Sequence, residues 1–324
     1  MYPYLYTEAH QEFWYLKLAQ GLDAGQPQCY RWLAPWLVRV SGIEPRAGFW
    51  FLNIALSILA AYLFYFWLKK KNFARYTALA ISVFWILLPN SPLFTNIRSI
   101  TVDPLAICLT LGAMIAIERK NWFACVLAVV AAVNVRESGL VISLYALWKR
   151  GWFSPLILGG LNLALLYYFI SPIIPAQHYL IGTSDALWTV IRNPFNIPSG
   201  LWMAFGPLGY LWFKGYGQDE DLDFLVWLQI FPLFFGGADR ERFLQWIPVM
   251  IPLAWIGFNS LKNNYSKLTT VLLLFITCLY INTLPFTLEG YWLMSSAGHT
   301  WPFKVGVTAL ALVYCGALAW LEEK

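Results

Sequence analysis

The amino-acid sequence predicts an all-α protein that crosses a membrane several times, and its composition is the first reason. Of the 324 residues, 59% are hydrophobic and only 12% are charged, whereas an ordinary soluble domain has about 25% charged residues. The second reason is the aromatic content of 18%, with 18 Trp and 18 Tyr, because such rings collect where a bilayer meets water. The third is that apolar segments separated by short polar loops recur along the chain.

Apolar segments long enough to be candidate spans begin after residue 46 and continue almost to the end of the chain. A helix needs about 20 apolar residues to cross a bilayer, and shorter helices can cross inside a bundle. We therefore predict outer-face interfacial helices and a loop at residues 1–46, followed by a transmembrane helical bundle at residues 47–324. The predicted spans, about eleven by this criterion, are 47–68, 76–90, 104–117, 121–134, 138–149, 152–171, 198–214, 223–236, 244–260, 268–286 and 301–320.

In the N-terminal segment we expect neither a cleavable signal peptide nor a spanning helix, because residues 1–28 contain no long apolar run. Thr7–Gly21 is amphipathic and aromatic, which predicts a helix lying in the interface. Glu8 and Glu12 are four residues apart and share one face of that helix. Two such carboxylates can bind a divalent cation, or one can act as a general base. The alternative is an ordinary solvated helix face.

Lysine and arginine are distributed unequally between the two sets of loops. In one set nine of the 12 basic residues are Lys, and in the other eight of the 10 are Arg. The Lys-rich loops are short, so the positive-inside rule places them in the cytoplasm and the N-terminus outside. Arginine pairs bidentately with phosphate or carboxylate. The outward face is therefore predicted to hold an anionic lipid headgroup, unless its arginines pair with carboxylates or extend to ordinary lipid headgroups.

Two outward segments place a charged residue beside an apolar run. Arg31 lies in the apolar stretch Tyr30–Val38, where an unpaired charge is costly, so it needs an acidic side chain or a ligand phosphate as partner. Asp103 precedes Pro104 at the start of a span, where it can cap the helix. Arg98, upstream in the same loop, is a candidate partner for Asp103.

Two further segments combine arginines with carboxylates. Arg136 and Glu137 lie between two short apolar spans, which indicates either a cavity mouth with a functional role or a structural Arg–Glu clasp. Asp239, Arg240 and Arg242 follow the glycine pair at residues 236–237, and glycines permit sharp turns or close backbone approach. A hairpin with internal salt bridges is the alternative for this segment.

Other functional classes have little support in the sequence. The five cysteines form no CxxC or CxxH pair, and four lie in apolar runs, which argues against a disulfide framework or a zinc site. The net charge of +5 is spread along the chain, and no basic run is dense enough to predict nucleic-acid binding. No internal symmetry of the kind found in transporters is evident, so transport ranks last.

Four short motifs occur in an order that resembles the bacterial membrane proteins related to the GT-C superfamily of glycosyltransferases. They are YRWLAP at residues 30–35, VDPL at 102–105, VRES at 135–138 and GADRERF at 237–243, the last followed by Pro248. The resemblance extends over most of the chain. The chain differs from the family in lacking a spanning helix before the acidic segment, and in having Glu where Asp is usual.

This resemblance implies an inverting sugar transfer on the periplasmic face of the bacterial inner membrane, from a polyprenyl-phosphate donor. It leaves open whether a divalent cation, Mg²⁺ or Mn²⁺, takes part. The implied catalytic residues are Glu8, Glu12 and Asp103. The implied lipid-phosphate or substrate-binding residues are Arg31, Arg98, Arg136, Glu137, Asp239, Arg240 and Arg242. The alternative function is a non-catalytic GT-C-like subunit that binds lipid or membrane-protein partners in a larger complex.

Overall fold

The computed structural model describes residues 15–22, 31–88, 102–170, 193–230, 248–283 and 301–323. Every regular element in these ranges is a helix, so the all-α prediction is confirmed. The chain divides into two compact units. The first comprises Met1–Leu87 and Pro92–Leu180, and the second comprises Leu88–Ser91 and Ile181–Lys324.

The first unit contains seven described α-helices and one 3₁₀ helix. After a short helical stretch at residues 15–19, these are α1 (Leu33–Val40), α2 (Pro45–Lys70), α3 (Arg75–Leu87), α4 (Asp103–Glu118), α5 (Trp122–Val135), the 3₁₀ helix (Glu137–Val141), α6 (Ile142–Arg150) and α7 (Ser154–Ile170).

Local sequence explains where several of these helices begin and end. The Glu44 carboxylate accepts hydrogen bonds from the backbone N–H groups of Arg46 and Ala47, and so caps the start of α2. Asn121 caps α5 in the same way through the N–H of Ala124. The backbone at Arg136 is extended, with φ −163° and ψ 136°, which ends α5 and turns the chain into the 3₁₀ helix.

Helix α4 is the central helix of the first unit. Most of its side chains are buried, and it packs against α2, α5 and α6. Its two charged residues stand at its ends, Asp103 at the first position and Glu118 at the last. A rise of 1.5 Å per residue separates their backbones by roughly 22 Å, so α4 carries one carboxylate to each end of the unit.

The second unit contains α8 (Asn196–Phe205), α9 (Leu208–Gly215), α10 (Glu220–Ile230), α11 (Met250–Ser260), α12 (Asn264–Thr283) and α13 (Trp301–Glu323). The apolar segment predicted as one span at 198–214 forms two helices, α8 and α9, and not one continuous helix. Gly206, at φ +58°, and Pro207 interrupt the chain there, since proline cannot continue the helical hydrogen bonds. Close packing of α9 against α11 depends on glycine, because a Cβ on Gly215 would lie 2.4 Å from the Leu253 carbonyl oxygen.

Within the described residues, two helices are long and apolar enough to cross a membrane, α2 and α13. Helices α3, α5 and α7 are apolar but shorter. These helices support the coarse prediction of a membrane-associated protein. The predicted number of about eleven spans, which relied on short helices crossing inside a bundle, stays a prediction.

Candidate functional site

A cluster of charged and polar side chains lies at the end of the first unit where α4 begins and α5 ends. We call it the arginine cluster and define it as Tyr15, Arg31, Trp32, Asp103, Asn134, Arg136 and Glu137. Its members come from the N-terminal segment, the start of α4, the end of α5 and the 3₁₀ helix. Four of them, Arg31, Asp103, Arg136 and Glu137, were singled out from the sequence.

Arg31 is joined to Glu137 by a two-point ion pair. The Arg31 Nε donates to Glu137 Oε1 at 3.4 Å, and Nη2 donates to Oε2 at 3.2 Å. A third bond runs from Arg31 Nη1 to the Tyr15 hydroxyl at 3.1 Å. Arg31 is only 6% exposed. The need for a partner inferred from its apolar surroundings is therefore met by an acidic side chain 106 residues away.

Arg136 forms the second ion pair, through Nη1 and the Oδ1 atom of Asp103. Both residues are buried. Asp103 is not the N-cap of α4, because Val102 occupies that position. Its carboxylate instead lies in the first helical turn, where it interacts favourably with the helix dipole. Arg98, the partner considered for Asp103 from sequence, lies outside the described residues.

The extended backbone at Arg136 explains why two neighbouring residues serve two different pairs. At this point the chain leaves α5 and enters the 3₁₀ helix, so the two neighbouring side chains are presented to different parts of the fold. Arg136 therefore faces Asp103 on α4, while Glu137 faces Arg31 of the N-terminal segment. The Arg–Glu clasp considered for this dipeptide is replaced by two pairs that each join separate parts of the chain.

Three members of the cluster were not identified from the sequence. The Trp32 indole N–H donates to the Asn134 side-chain oxygen at 2.9 Å, and the Asn134 amide donates to the Val130 carbonyl at 2.8 Å. Tyr15 completes the set through Arg31. Asn134 is an amide in an otherwise apolar helix, and that was the sequence feature that could have revealed it. Nothing local distinguishes Tyr15 or Trp32 among so many aromatic residues.

The four charged side chains of the cluster balance one another, with two guanidinium groups and two carboxylates. Buried charges are tolerated when they are paired and hydrogen-bonded. Removing one member of a buried pair commonly costs about 3–5 kcal/mol, because the remaining charge is left uncompensated. The cluster thus ties the N-terminal segment and α4 to the junction between α5 and the 3₁₀ helix.

Six other predicted site residues belong to parts of the chain that the structure does not describe. Glu8, Glu12, Arg98, Asp239, Arg240 and Arg242 all lie outside the described residues. In the sequence, Glu12 precedes Tyr15 by three positions. The chain that carries both predicted catalytic glutamates therefore runs directly into a residue of the arginine cluster.

The described members of the arginine cluster do not form a suitable site for a divalent cation. Asp103 and Glu137 each face a guanidinium group, and in the described ranges no three His, Cys, Asp or Glu side chains come together as a metal site. Two carboxylates already engaged with arginine are poor ligands for a further cation.

A second charged cluster lies at the opposite end of α4, around Glu118, which follows the predicted span 104–117. Its carboxylate contacts Lys149 Nζ at 2.8 Å, Lys71 Nζ at 3.4 Å and the Tyr145 hydroxyl at 2.8 Å. Burial disfavours the charged form of Glu118. The hydrogen bonds from Lys149 and Tyr145, together with the charge of Lys71, outweigh burial and lower the pKa of this carboxyl.

From sequence, these lysines are predicted only to set the membrane topology, and Glu118 is not among the predicted site residues. Its isolation among basic residues, immediately before Arg119 and Lys120, was the available clue. Arg150 adds a further tie, because its Nε donates to the Ile117 carbonyl at 3.1 Å. The ends of α2, α4 and α6 are therefore held together at this end of the unit.

Comparison with known proteins gives no relative from which function could be transferred. No protein-family model, no curated protein and no solved structure matches the chain.

Proposed function

We propose that this protein is a membrane glycosyltransferase of the GT-C type, which moves a sugar from a polyprenyl-phosphate donor to an acceptor on the outer face of the membrane. The observation that carries the proposal is the arginine cluster. Residues from three of the four motifs that resemble the GT-C superfamily are joined by two ion pairs, Arg31–Glu137 and Asp103–Arg136, at the junction between α5 and the 3₁₀ helix. In a functional site, motifs that are far apart in the sequence are expected to lie close together in the fold.

We propose that the chain crosses a bacterial inner membrane about eleven times, with the N-terminus outside. The two long apolar helices are two of these spans, and shorter apolar helices form the others. Large apolar side chains exposed on the shorter helices support it. On α7, Ile157, Leu161, Leu165 and Phe169 are all more than half exposed. Apolar surface of this kind is typical of contact with lipid or with a partner protein.

In the proposed reaction, the acceptor hydroxyl attacks the anomeric carbon of the sugar from the face opposite the phosphate. The new carbon–oxygen bond forms as the bond to the phosphate oxygen breaks, and the electron pair leaves with the polyprenyl phosphate. Glu8 or Glu12 accepts the proton of the acceptor hydroxyl. Negative charge grows on the departing phosphate, and arginines close to it stabilise that charge.

The ion pairs support positioning roles for the carboxylates of the cluster. Glu137 holds the Arg31 guanidinium at two points, and Tyr15 holds it at a third. Asp103 holds Arg136. Guanidinium groups fixed in this way need little reorganisation when the phosphate charge develops, which is the condition for effective electrostatic stabilisation.

The proposal is tested with the full-length protein in proteoliposomes. Polyprenyl-phosphate donors carrying isotope-labelled hexoses or pentoses are supplied with a bacterial envelope fraction as the source of acceptors. We expect one donor to be consumed, with label transferred and polyprenyl phosphate released. Glu8→Gln, Glu12→Gln and Asp103→Asn are compared with Glu323→Gln, which changes an exposed carboxylate at the end of α13. Full transfer by all three site variants would overturn the catalytic assignment.

A second function, that of a non-catalytic lipid-binding subunit, is favoured by one observation. The four charged side chains of the arginine cluster neutralise one another in pairs, as in a structural cluster. The same proteoliposomes distinguish the two functions. Consumption of a donor supports the transferase, whereas retention of polyprenyl phosphate with no consumption of any donor supports the subunit.

A further inference from the structure

The end of the first unit opposite the arginine cluster carries a large excess of positive charge. We call it the basic end and define it by eight residues: Lys69, Lys70, Lys71, Arg75, Arg119, Lys120, Lys149 and Arg150. They lie at the end of α2, the start of α3, the end of α4 and the end of α6. The one carboxylate among them is Glu118; the other carboxylates in the described part of this unit, Glu44, Asp103 and Glu137, lie at other positions.

Contacts between the helix ends show that these charges form one surface. Lys71 and Lys149 both contact Glu118. Arg119 lies over the Phe66 ring of α2, with its guanidinium carbon 4.8 Å from the ring centre, and Lys70 lies over the same ring at 5.8 Å. The helices that carry the charges are therefore side by side.

Most of the charged side chains at the basic end are exposed on the surface of the unit. Lys69, Lys70, Arg75, Arg119 and Lys120 are exposed. The cations beside Glu118 are partly buried and are engaged with its carboxylate. One carboxylate cannot neutralise eight cations. The surface consequently keeps a strong positive charge, whereas the four charged groups of the arginine cluster cancel.

Exposed aromatic side chains accompany the exposed cations. Tyr76 follows Arg75 in α3, Trp122 and Phe123 begin α5 just after Lys120, and Phe153 follows Arg150. All four are at least 44% exposed, and Tyr76 is 81% exposed. Aromatic rings beside lysine and arginine are typical of the level at which a bilayer meets water. Cations placed there lie within reach of lipid phosphates.

We propose that the basic end binds the headgroups of anionic phospholipids. The charge complementarity and the aromatic residues favour a lipid surface over an acidic protein. This inference differs from the expectation drawn from sequence, which assigned anionic headgroups to the outward arginines and only topology to the lysines. It does not depend on sugar transfer, because the basic end shares no residue with the arginine cluster.

The test uses the full-length protein in micelles of a neutral detergent. Phosphatidylglycerol and phosphatidylcholine with the same fluorescent acyl chain are titrated, and energy transfer from tryptophan reports binding. We expect tighter binding of phosphatidylglycerol, and its preference should fall as salt is raised, because exposed charges are screened. Each exposed cation near a lipid surface contributes a factor of about five to binding.

Two variants of the basic end are compared with one matched control. Lys69→Gln/Lys70→Gln and Arg119→Gln/Lys120→Gln each remove two exposed charges, so that either one suffices if the other fails to fold. Arg39→Gln/Arg46→Gln removes two exposed charges near the start of α2, far from its basic end. We expect each variant of the basic end to weaken binding of phosphatidylglycerol by about 25-fold, a factor of about five for each of the two cations removed, and the control to leave it unchanged.

Two results would overturn the proposal. The first is equal binding of the two lipids, or an equal loss in the control and in the variants of the basic end. The second is that a low concentration of polyglutamate displaces phosphatidylglycerol while the protein shows no preference between the two lipids. This result would identify an acidic protein segment as the occupant.

Discussion

The arginine cluster and the basic end stand at opposite ends of one helix, α4, and they use charge in opposite ways. At the first end, two arginines meet two carboxylates and all four are largely buried. At the second, one carboxylate meets two of eight cations, and most of the others are exposed. A count of basic residues therefore does not show where positive charge is available on the protein surface. The availability of that charge depends on which cations form ion pairs with carboxylates within the fold.

The largest expected effect is on the arginine cluster. Asp103→Asn leaves Arg136 buried without its counter-charge, so we expect it to lower the free energy of unfolding by about 3–5 kcal/mol. Thermal or denaturant unfolding in detergent measures the loss. The double variant Asp103→Asn/Arg136→Gln should lose less than the sum of the two single variants, because the second change removes the stranded charge. Additive losses would show that the pair does not act as a unit.

At the other end of α4, Glu118→Gln should have a smaller effect. The variant keeps the shape of the side chain but loses the charge that attracts Lys71 and Lys149. We expect a loss of about 1.5–3 kcal/mol in the free energy of unfolding, the range for hydrogen bonds to charged groups. A loss as large as that of Asp103→Asn would remove the distinction between the two ends. Glu323→Gln, measured in parallel, controls for a change of net charge.

The Glu118 cluster also predicts a dependence on pH. Its carboxyl pKa is lowered in the folded protein from the ordinary value of 4.5, so the folded state favours the charged form. The stability that Glu118 contributes is therefore fully present above pH 4.5 and is lost as the pH falls through the lowered value. Unfolding curves from pH 7 to pH 3 should show the variant Glu118→Gln losing less stability on acidification than the wild type. Parallel curves would contradict this.

Tyr15→Phe should produce the smallest of these losses. The change removes the hydroxyl that accepts a hydrogen bond from Arg31 Nη1 but keeps the ring, which packs against Phe49 with their centres 6.4 Å apart. The two-point contact of Arg31 with Glu137 remains. We expect a loss of about 1–2 kcal/mol. If donor turnover falls while stability hardly changes, Tyr15 positions Arg31 for function and not only for folding.

The sequence predicted the helical class well because composition and apolar runs are local properties. The predicted span at 47–68 corresponds to α2, Pro45–Lys70, and that at 301–320 corresponds to α13, Trp301–Glu323. The interruption at Gly206 and Pro207 is also a local feature of the sequence, but the predicted span at 198–214 does not take it into account. That prediction relied on the length of the apolar run and gave too little weight to two residues that are unfavourable within a helix.

The partners inside the arginine cluster could not be predicted in the same way. Arg31 and Glu137 are 106 residues apart, and Trp32 and Asn134 are 102 apart. Such contacts depend on how the helices pack. The sequence showed that Arg31 needed a partner, because a lone buried charge is costly. It did not show whether that partner was a carboxylate or a phosphate, and this was the point on which the functional hypothesis depended.

The most direct test of the account is a density map of the protein in lipid nanodiscs with polyprenyl phosphate bound. We expect a phosphate within hydrogen-bond distance of Arg31 or Arg136, with the Arg31–Glu137 contact still in place. A phosphate bound only at the basic end, or arginine cluster side chains packed with no phosphate near them at saturating lipid, would contradict it.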